Sequence, residues 1–369
     1  MVRLLLVAAL AATSTALAIG RGTDQEPLFT IQLEPGVTQQ VTEAEKLALK
    51  FQGKSFIDIT NRPNLVQSAT TDASVKAAAA VSYPSALNQT EAVRGLISKL
   101  SRENVQEKLT TLTEFHSRFY NTTWAKDASD WLLSEVQGLL SESKAAGATV
   151  KTFEHRWAQN SIIATIPGRL TDKIVVGAHI DSINQEGWEA RSPGADDDGS
   201  GSITNLEALK ALLSDPKIVA GEADNTIEFH WYSGEELGLL GSGEIFDSYA
   251  ADGVVVMAML QQDMTGWGNN PMGVITDYVD QGLTAFIRLV SEYTDIGYVD
   301  TRCGYACSDH GSATAAGYPA AFVIESDRKI DNRNIHSAKD TLDTINYDHM
   351  LEHSKLVLGY VYELAFTAL

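Results

Sequence analysis

The chain has 369 residues and a formal net charge of −20 at pH 7, with no compact basic patch to offset the acidity. That balance opposes phosphate-backbone and anionic-lipid partners, so neither nucleic acid nor a membrane surface is expected to bind it. The length allows a sizeable core, built as one large domain with an appendage or as two domains.

In chain order, Arg3 precedes the apolar run 4–10, and small residues follow as far as Ala16, Leu17 and Ala18. This pattern predicts a secretory signal over 1–18 and hence a secreted, extracellular protein. The run is too short for a permanent membrane helix, and no later stretch reaches the necessary length. Residues 19–80 are rich in Thr, Ala, Gln and Asp and close in an alanine tract at 77–80, which predicts a detachable propeptide. Its middle carries Phe51, Phe56, Ile57 and Ile59, so a leader folded against the rest of the chain and a disordered one both fit. The sequons at Asn88 and Asn121 are glycosylation acceptors, in keeping with a secretory route.

The body of the protein is predicted at 81–369. Apolar residues recur at helical intervals over 90–119 and again over 131–140. Short β-rich runs follow at 161–166, 173–176, 226–231, 254–260, 273–276 and 320–324, with helix candidates at 202–213, 244–251, 283–293 and 349–365. This alternation predicts an α/β fold, a single large globular domain preceded by a propeptide. Its centre would be a mixed, largely parallel twisted sheet flanked by helices on both faces. Such sheets bind ligands beyond the carboxyl ends of their strands. His179 and Asp181 follow one predicted strand, Glu235 and Glu236 another, and Asp263 a third.

The segment Gly194-Ala-Asp-Asp-Asp-Gly-Ser-Gly201 sets three carboxylates between glycines just before a helix. Solvated, it is an ordinary acidic loop; buried in a sheet-end crevice, its charge needs a cation, because uncompensated burial of a carboxylate is prohibitive. In Gly177-Ala-His-Ile-Asp-Ser182, a metal on one ring nitrogen of His179 would leave Asp181 to accept from the other, while a packed strand-end histidine is the plainer alternative. Tyr232-Ser-Gly-Glu-Glu-Leu-Gly238 offers two adjacent glutamates, one fit to be a ligand and the other a proton carrier. With Asp263 and His336, the set His179, Asp197, Glu236, Asp263 and His336 suits zinc and is too large for one tetrahedral ion with an open position. Two ions sharing one carboxylate would use all five. The two cysteines, Cys303 and Cys307, read as a local disulfide that shapes a loop.

These segments, together with Gln-Asp-Met-Thr, Cys-Gly-Tyr-Ala-Cys-Ser-Asp-His and Ile-His-Ser-Ala-Lys-Asp-Thr, occur in the order seen in co-catalytic two-zinc aminopeptidases. From about Tyr83 onward the chain resembles the secreted fungal leucine aminopeptidases of that family, and bacterial extracellular aminopeptidases more distantly. The resemblance implies two Zn2+ ions per chain, bridged by Asp197, with His179 and Asp263 completing one site and Glu236 and His336 the other. It further implies Glu235 as general base, Asp181 as partner of His179, a Cys303–Cys307 disulfide beside the substrate, and a cis peptide between Asp197 and Asp198. The expected partners are peptides with a free N-terminus and the chain's own propeptide, and the enzyme would act as a monomer. Leucine or another apolar first residue would enter a pocket lined by Met264, Tyr305, Phe322, Ile324 and Ile335. Arg328 stands where the resemblance suggests an aromatic, which leaves the depth of that pocket open. A one-zinc glutaminyl cyclase and a carboxypeptidase of related fold are the enzymatic rivals. The intact ligand set and base argue against a binding ectodomain with a dead site.

Overall fold

The computed structural model describes residues 26–62 and 81–369; the predicted signal at 1–18 and the end of the leader at 63–80 lie outside them. The leader folds. Strands β1 (Phe29–Glu34), β2 (Val37–Val41) and β3 (Ile57–Asp58) form an antiparallel sheet in the order β2-β1-β3, with helix α1 (Glu43–Phe51) connecting the last two. Thr42 starts that helix in a reciprocal capping box with Glu45. Ile31, Val41 and Phe56 make a small core of its own.

The body opens with helices α2 (Thr90–Ile97), α3 (Arg102–Glu114) and α4 (Thr123–Ser143), then strands β4 (Thr149–Phe153), β5 (Ser161–Ile166) and β6 (Lys173–His179). Helices α5 (Gly201–Leu212) and α6 (Pro216–Val219), strand β7 (Thr226–Tyr232), helix α7 (Leu240–Ala251) and strands β8 (Val256–Gln262) and β9 (Met272–Ile275) follow. The chain ends through α8 (Gln281–Val290), β10 (Tyr298–Thr301), α9 (His310–Ala315), β11 (Ala320–Ile324) and α10 (Tyr347–Ala365). The eight strands of the body form one mixed sheet in the order β10-β9-β11-β8-β6-β7-β5-β4. Its four central strands β7, β6, β8 and β11 run parallel, and antiparallel pairings begin only toward the edges.

Alternate residues of the central strands enter opposite cores, as the two-residue repeat of a strand requires. Ile162, Val176 and Phe229 face the large core beneath α3, α5 and α10, while Ile163, Val175 and Met259 face a smaller one beneath α7. The sheet is thus buried on both faces. The predicted helical run 90–119 is two helices, because Ser101 accepts from the Asn104 amide and caps a new one. Edge strands β4 and β10, which carry no apolar run, turn alternate residues to solvent and were not expected; nor was the single-turn stretch α9. Among the described residues no helix is long and apolar enough to cross a membrane. Asn88 and Asn121 are both exposed.

Helix α10 lies close enough to the turn after α8 that Gly359 has no room for a side chain. A Cβ there would sit 2.4 Å from Tyr293 Cδ2 and 2.8 Å from Val290 Cγ1. The Tyr293 hydroxyl donates to Glu363, so its ring is tethered. The helix-propensity gain of Gly359→Ala, about 1 kcal/mol, is smaller than the roughly 1–3 kcal/mol that overpacking costs. Urea denaturation should therefore show a lower midpoint for this variant at an unchanged slope; an equal or higher midpoint would mean that the helix shifts freely.

Candidate metal centre

The carboxyl ends of the parallel strands carry the polar cluster, as the topology demands. His179 ends β6, Glu235 and Glu236 follow β7, Asp263 follows β8, and His336 arrives on the long connection after β11. Asp197 sits between the two imidazoles, with Oδ1 3.1 Å from His179 Nε2 and Oδ2 2.9 Å from His336 Nε2. Asp263 Oδ1 is 3.6 Å from His179 Nε2, and Glu236 Oε2 is 3.2 Å from His336 Nε2. Donor atoms of His179, Asp198 and Asp263 lie within 4.8 Å of one another, as do those of Asp197, Glu236 and His336. Both oxygens of Glu236 and Oδ1 of Asp263 are buried with no hydrogen-bond partner. Buried carboxylate oxygens need a partner, and this donor set of imidazoles and carboxylates fits zinc.

Asp198 has a different task from Asp197. Its Oδ2 accepts from the His179 amide at 3.0 Å, and its Oδ1 from the Gly201 and Met264 amides at 2.9 and 3.1 Å, so it ties the acidic loop to β6 and to the end of β8. Asp196 does the same toward Gly266 and Asn332, at 2.9 Å each. The Asp197–Asp198 peptide is cis. Asp181 faces His179 Nδ1 at 3.3 Å and also accepts from the Glu235 and Glu236 amides, at 2.9 and 3.1 Å. One carboxylate therefore orients an imidazole and both glutamates.

Burial works against protonating His179, but Asp263, Asp181 and Asp197 outweigh it and raise its pKa well above the usual histidine value. His336 is likewise raised to about 10, with burial opposed by Glu236 and Asp197. For Asp197, burial favours the neutral acid, yet the two histidines hold its pKa well below the usual carboxylate range. Burial pushes Glu235 well above that range despite Lys50 and His179. A cluster that draws protons onto its imidazoles would release them to a divalent cation.

The cleft over these groups is walled by Met264, Phe322, Ile324 and Ile335, with the Cys303–Cys307 disulfide alongside. Tyr305, expected among them, instead packs with Ile57 and Ile59 of the leader and donates to Gln32. The leader closes the cleft. Lys50 at the end of α1 lies 2.9 Å from Glu235 Oε2 and 3.4 Å from Glu236 Oε2, and Phe51 stands over His336 at 6.2 Å between ring centroids. About 80 Å³ remains, room for a few waters rather than a peptide.

The profile of peptidase family M28 matches residues 161–361, more than half of the chain. The chain belongs to this family. Leucine aminopeptidase 1 of Sclerotinia sclerotiorum is 49% identical to it over 353 residues, covering 92% of this chain and 90% of that protein. A probable leucine aminopeptidase 1 of Trichophyton verrucosum is 47% identical over 98% of this chain and all of its own length, 100%. Among solved structures, the LapA aminopeptidase of Legionella pneumophila superposes with a TM-score of 0.78 at 27% identity, covering 90% of this chain and 92% of that one. The enzyme class of the chain is accordingly metallo-aminopeptidase.

Two residues that hold this M28 site together, Asp340 and Arg118, and one that covers it, Lys50, carry no signal of that in the sequence. Asp340 accepts from the Asp196 and Asp197 amides at 3.0 and 3.1 Å; it lay within the Ile-His-Ser-Ala-Lys-Asp-Thr segment, but adjacency to His336 gave it no role. Arg118, wholly buried, binds the carbonyls of Ile180, Pro193 and Gly194, and nothing in the surrounding sequence marks it. Lys50 belongs to the leader, where a lysine in a polar helix is unremarked. Asp181→Asn tests the shared-carboxylate role: an amide offers one acceptor where two backbone amides converge. The loss should be about 1–3 kcal/mol, read as a lower urea midpoint, and an unchanged midpoint would contradict that role.

Proposed function

We propose that the mature chain is a secreted aminopeptidase holding two zinc ions, and that it releases leucine or another apolar residue from the N-terminus of peptides. The observation that carries this reading is Asp197, whose two oxygens each meet an imidazole while unpartnered oxygens of Asp263 and Glu236 complete the two sides. His179 and Asp263 would hold one ion, Glu236 and His336 the other, and Asp197 both. Bound zinc supplies Lewis acidity, acidifying water and polarising the scissile carbonyl. Glu235 takes the proton from the attacking water and passes it to the leaving amine. Asp181 fixes Glu235 in place through the Glu235 amide. The apolar wall of Met264, Phe322, Ile324 and Ile335 excludes water around the first side chain. Asn88 and Asn121, both exposed, would carry glycans.

The adjacent glutamates test the assignment. Glu235→Gln should keep both zinc ions and lose about 10²- to 10⁴-fold in turnover of a leucyl anilide. Glu236→Gln should instead lose zinc and recover partly when zinc is added, because a neutral amide is the poorer ligand. Metal content measured with turnover decides it: zinc loss in the first variant and retention in the second would reverse the roles.

We further infer that residues 26–62 act as a removable inhibitory propeptide, supported by the Lys50 ammonium on Glu235 and by the filled cleft. Processing should leave an N-terminus near Ala80 to Tyr83 and raise anilide turnover. Equal turnover before and after cleavage would rule out the blocking role.

A further inference from the structure

The cleft carries a cation that the proposed chemistry does not use. Arg328 lines it together with Phe322, Ile324 and Ile335. Lys50 and Lys54 face the same space, but both belong to the leader. Among the described residues of the body that line the cleft, Arg328 is therefore the guanidinium or ammonium that a substrate would meet once the leader has gone. It lies on the connection from β11 to His336, where three cations, Arg328, Lys329 and Arg333, stand among three carboxylates, Glu325, Asp327 and Asp331. Glu325 is wholly buried and accepts from the Trp267 and Asn332 amides, so Asp327 and Asp331 are left to meet the three cations.

The local pairing is uneven. Asp331 is buried and shared: its Oδ2 lies 2.6 Å from Arg328 Nη1, and its Oδ1 lies 3.2 Å from Arg333 Nη2. Two guanidiniums thus divide one carboxylate. Asp331 cannot neutralise both and competes for Arg328, and the contact through Nη1 leaves the other donors of a planar fork that matches a carboxylate. The side chain of Arg328 is 34% exposed, so it meets both the cleft and solvent. The surrounding walls are apolar, and an apolar wall strengthens an ion pair formed against it.

Building on the aminopeptidase reading, we propose that Arg328 is a specificity-determining residue that recognises a carboxylate on the peptide substrate. Two positions could supply the group: the side chain of an acidic first residue, or a carboxylate downstream of the scissile bond, such as the C-terminus of a dipeptide. In both cases the guanidinium gives a partner to an anion that the apolar walls of the cleft cannot pair. The enzyme would then accept acidic or very short peptides that a wholly apolar pocket disfavours.

Paired substrates that differ only in charge separate the sources. The full chain, folded with its leader and then processed, is assayed with zinc on glutamyl against glutaminyl anilide, and on leucylglycine against leucylglycine amide. Leucyl anilide, which has no carboxylate, is the reference. In at least one pair, Arg328→Gln should lower the carboxylate-to-amide ratio of kcat/KM about tenfold, through KM, with Arg328→Lys losing less. Asp331→Asn frees both guanidiniums and should raise the same ratio, so a folding failure of one variant leaves the other informative. Unchanged ratios in both pairs, for the Arg328→Gln and Asp331→Asn proteins alike, would overturn the assignment. If the unmutated enzyme fails to cleave leucyl anilide, the aminopeptidase reading falls and this assignment falls with it.

Discussion

Asp197 is a buried carboxylate with an imidazole against each oxygen, and the surrounding structure answers the electrostatic demand that this creates. Three aspartates in succession, two glutamates and Asp263 meet at one sheet edge, almost all of them out of water. Such a concentration of negative charge is tolerable only where each oxygen finds a donor or a cation. The fold meets the first requirement with backbone amides: Asp340, Asp198, Asp196 and Asp181 together accept from eight of them, drawn from β6, the acidic loop and the turns after β7 and β8. Oxygens of the inner set remain without a hydrogen-bond donor, both of Glu236 and Oδ1 of Asp263, on either side of Asp197. The outer carboxylates thus fix the loops, and the inner ones are left to bind.

The same demand explains the leader. A cleft rich in carboxylate attracts an ammonium, and α1 brings Lys50 to within 2.9 Å of Glu235. Further contacts hold the segment down: Arg62 pairs with Asp247 through two hydrogen bonds, Lys46 bridges Asp58 and the Leu237 carbonyl, and the Asp58 amide donates to Gly238. On the proposed reading, the charge pattern that recruits metal and the substrate's amino terminus also recruits the segment that keeps them out.

Much of this was legible in the sequence because chemistry clustered where the strand pattern ended. The β-rich runs at 173–176 and 226–231 fall in β6 and β7, and the acidic residues just beyond them converge in space. Edge strands β4 and β10 were invisible, since half-exposed strands need no apolar run. The leader's apolar residues left its folding open, and a lone Lys50 gave no hint that it reaches Glu235 across 185 residues of sequence. Arg118 was silent for a similar reason: a buried guanidinium that binds carbonyls has no partner nearby in the chain to betray it. Tyr305 followed the apolar pattern of the pocket, yet the neighbouring leader claims its hydroxyl.

If one shared carboxylate organises two metal ions, a zinc count on the processed chain, taken with leucyl anilide turnover during chelation and zinc titration, will show it. Two zinc ions per chain, loss of turnover on chelation, and recovery as zinc is restored are expected. Full turnover with a single ion, or turnover that survives complete removal of metal, would contradict this.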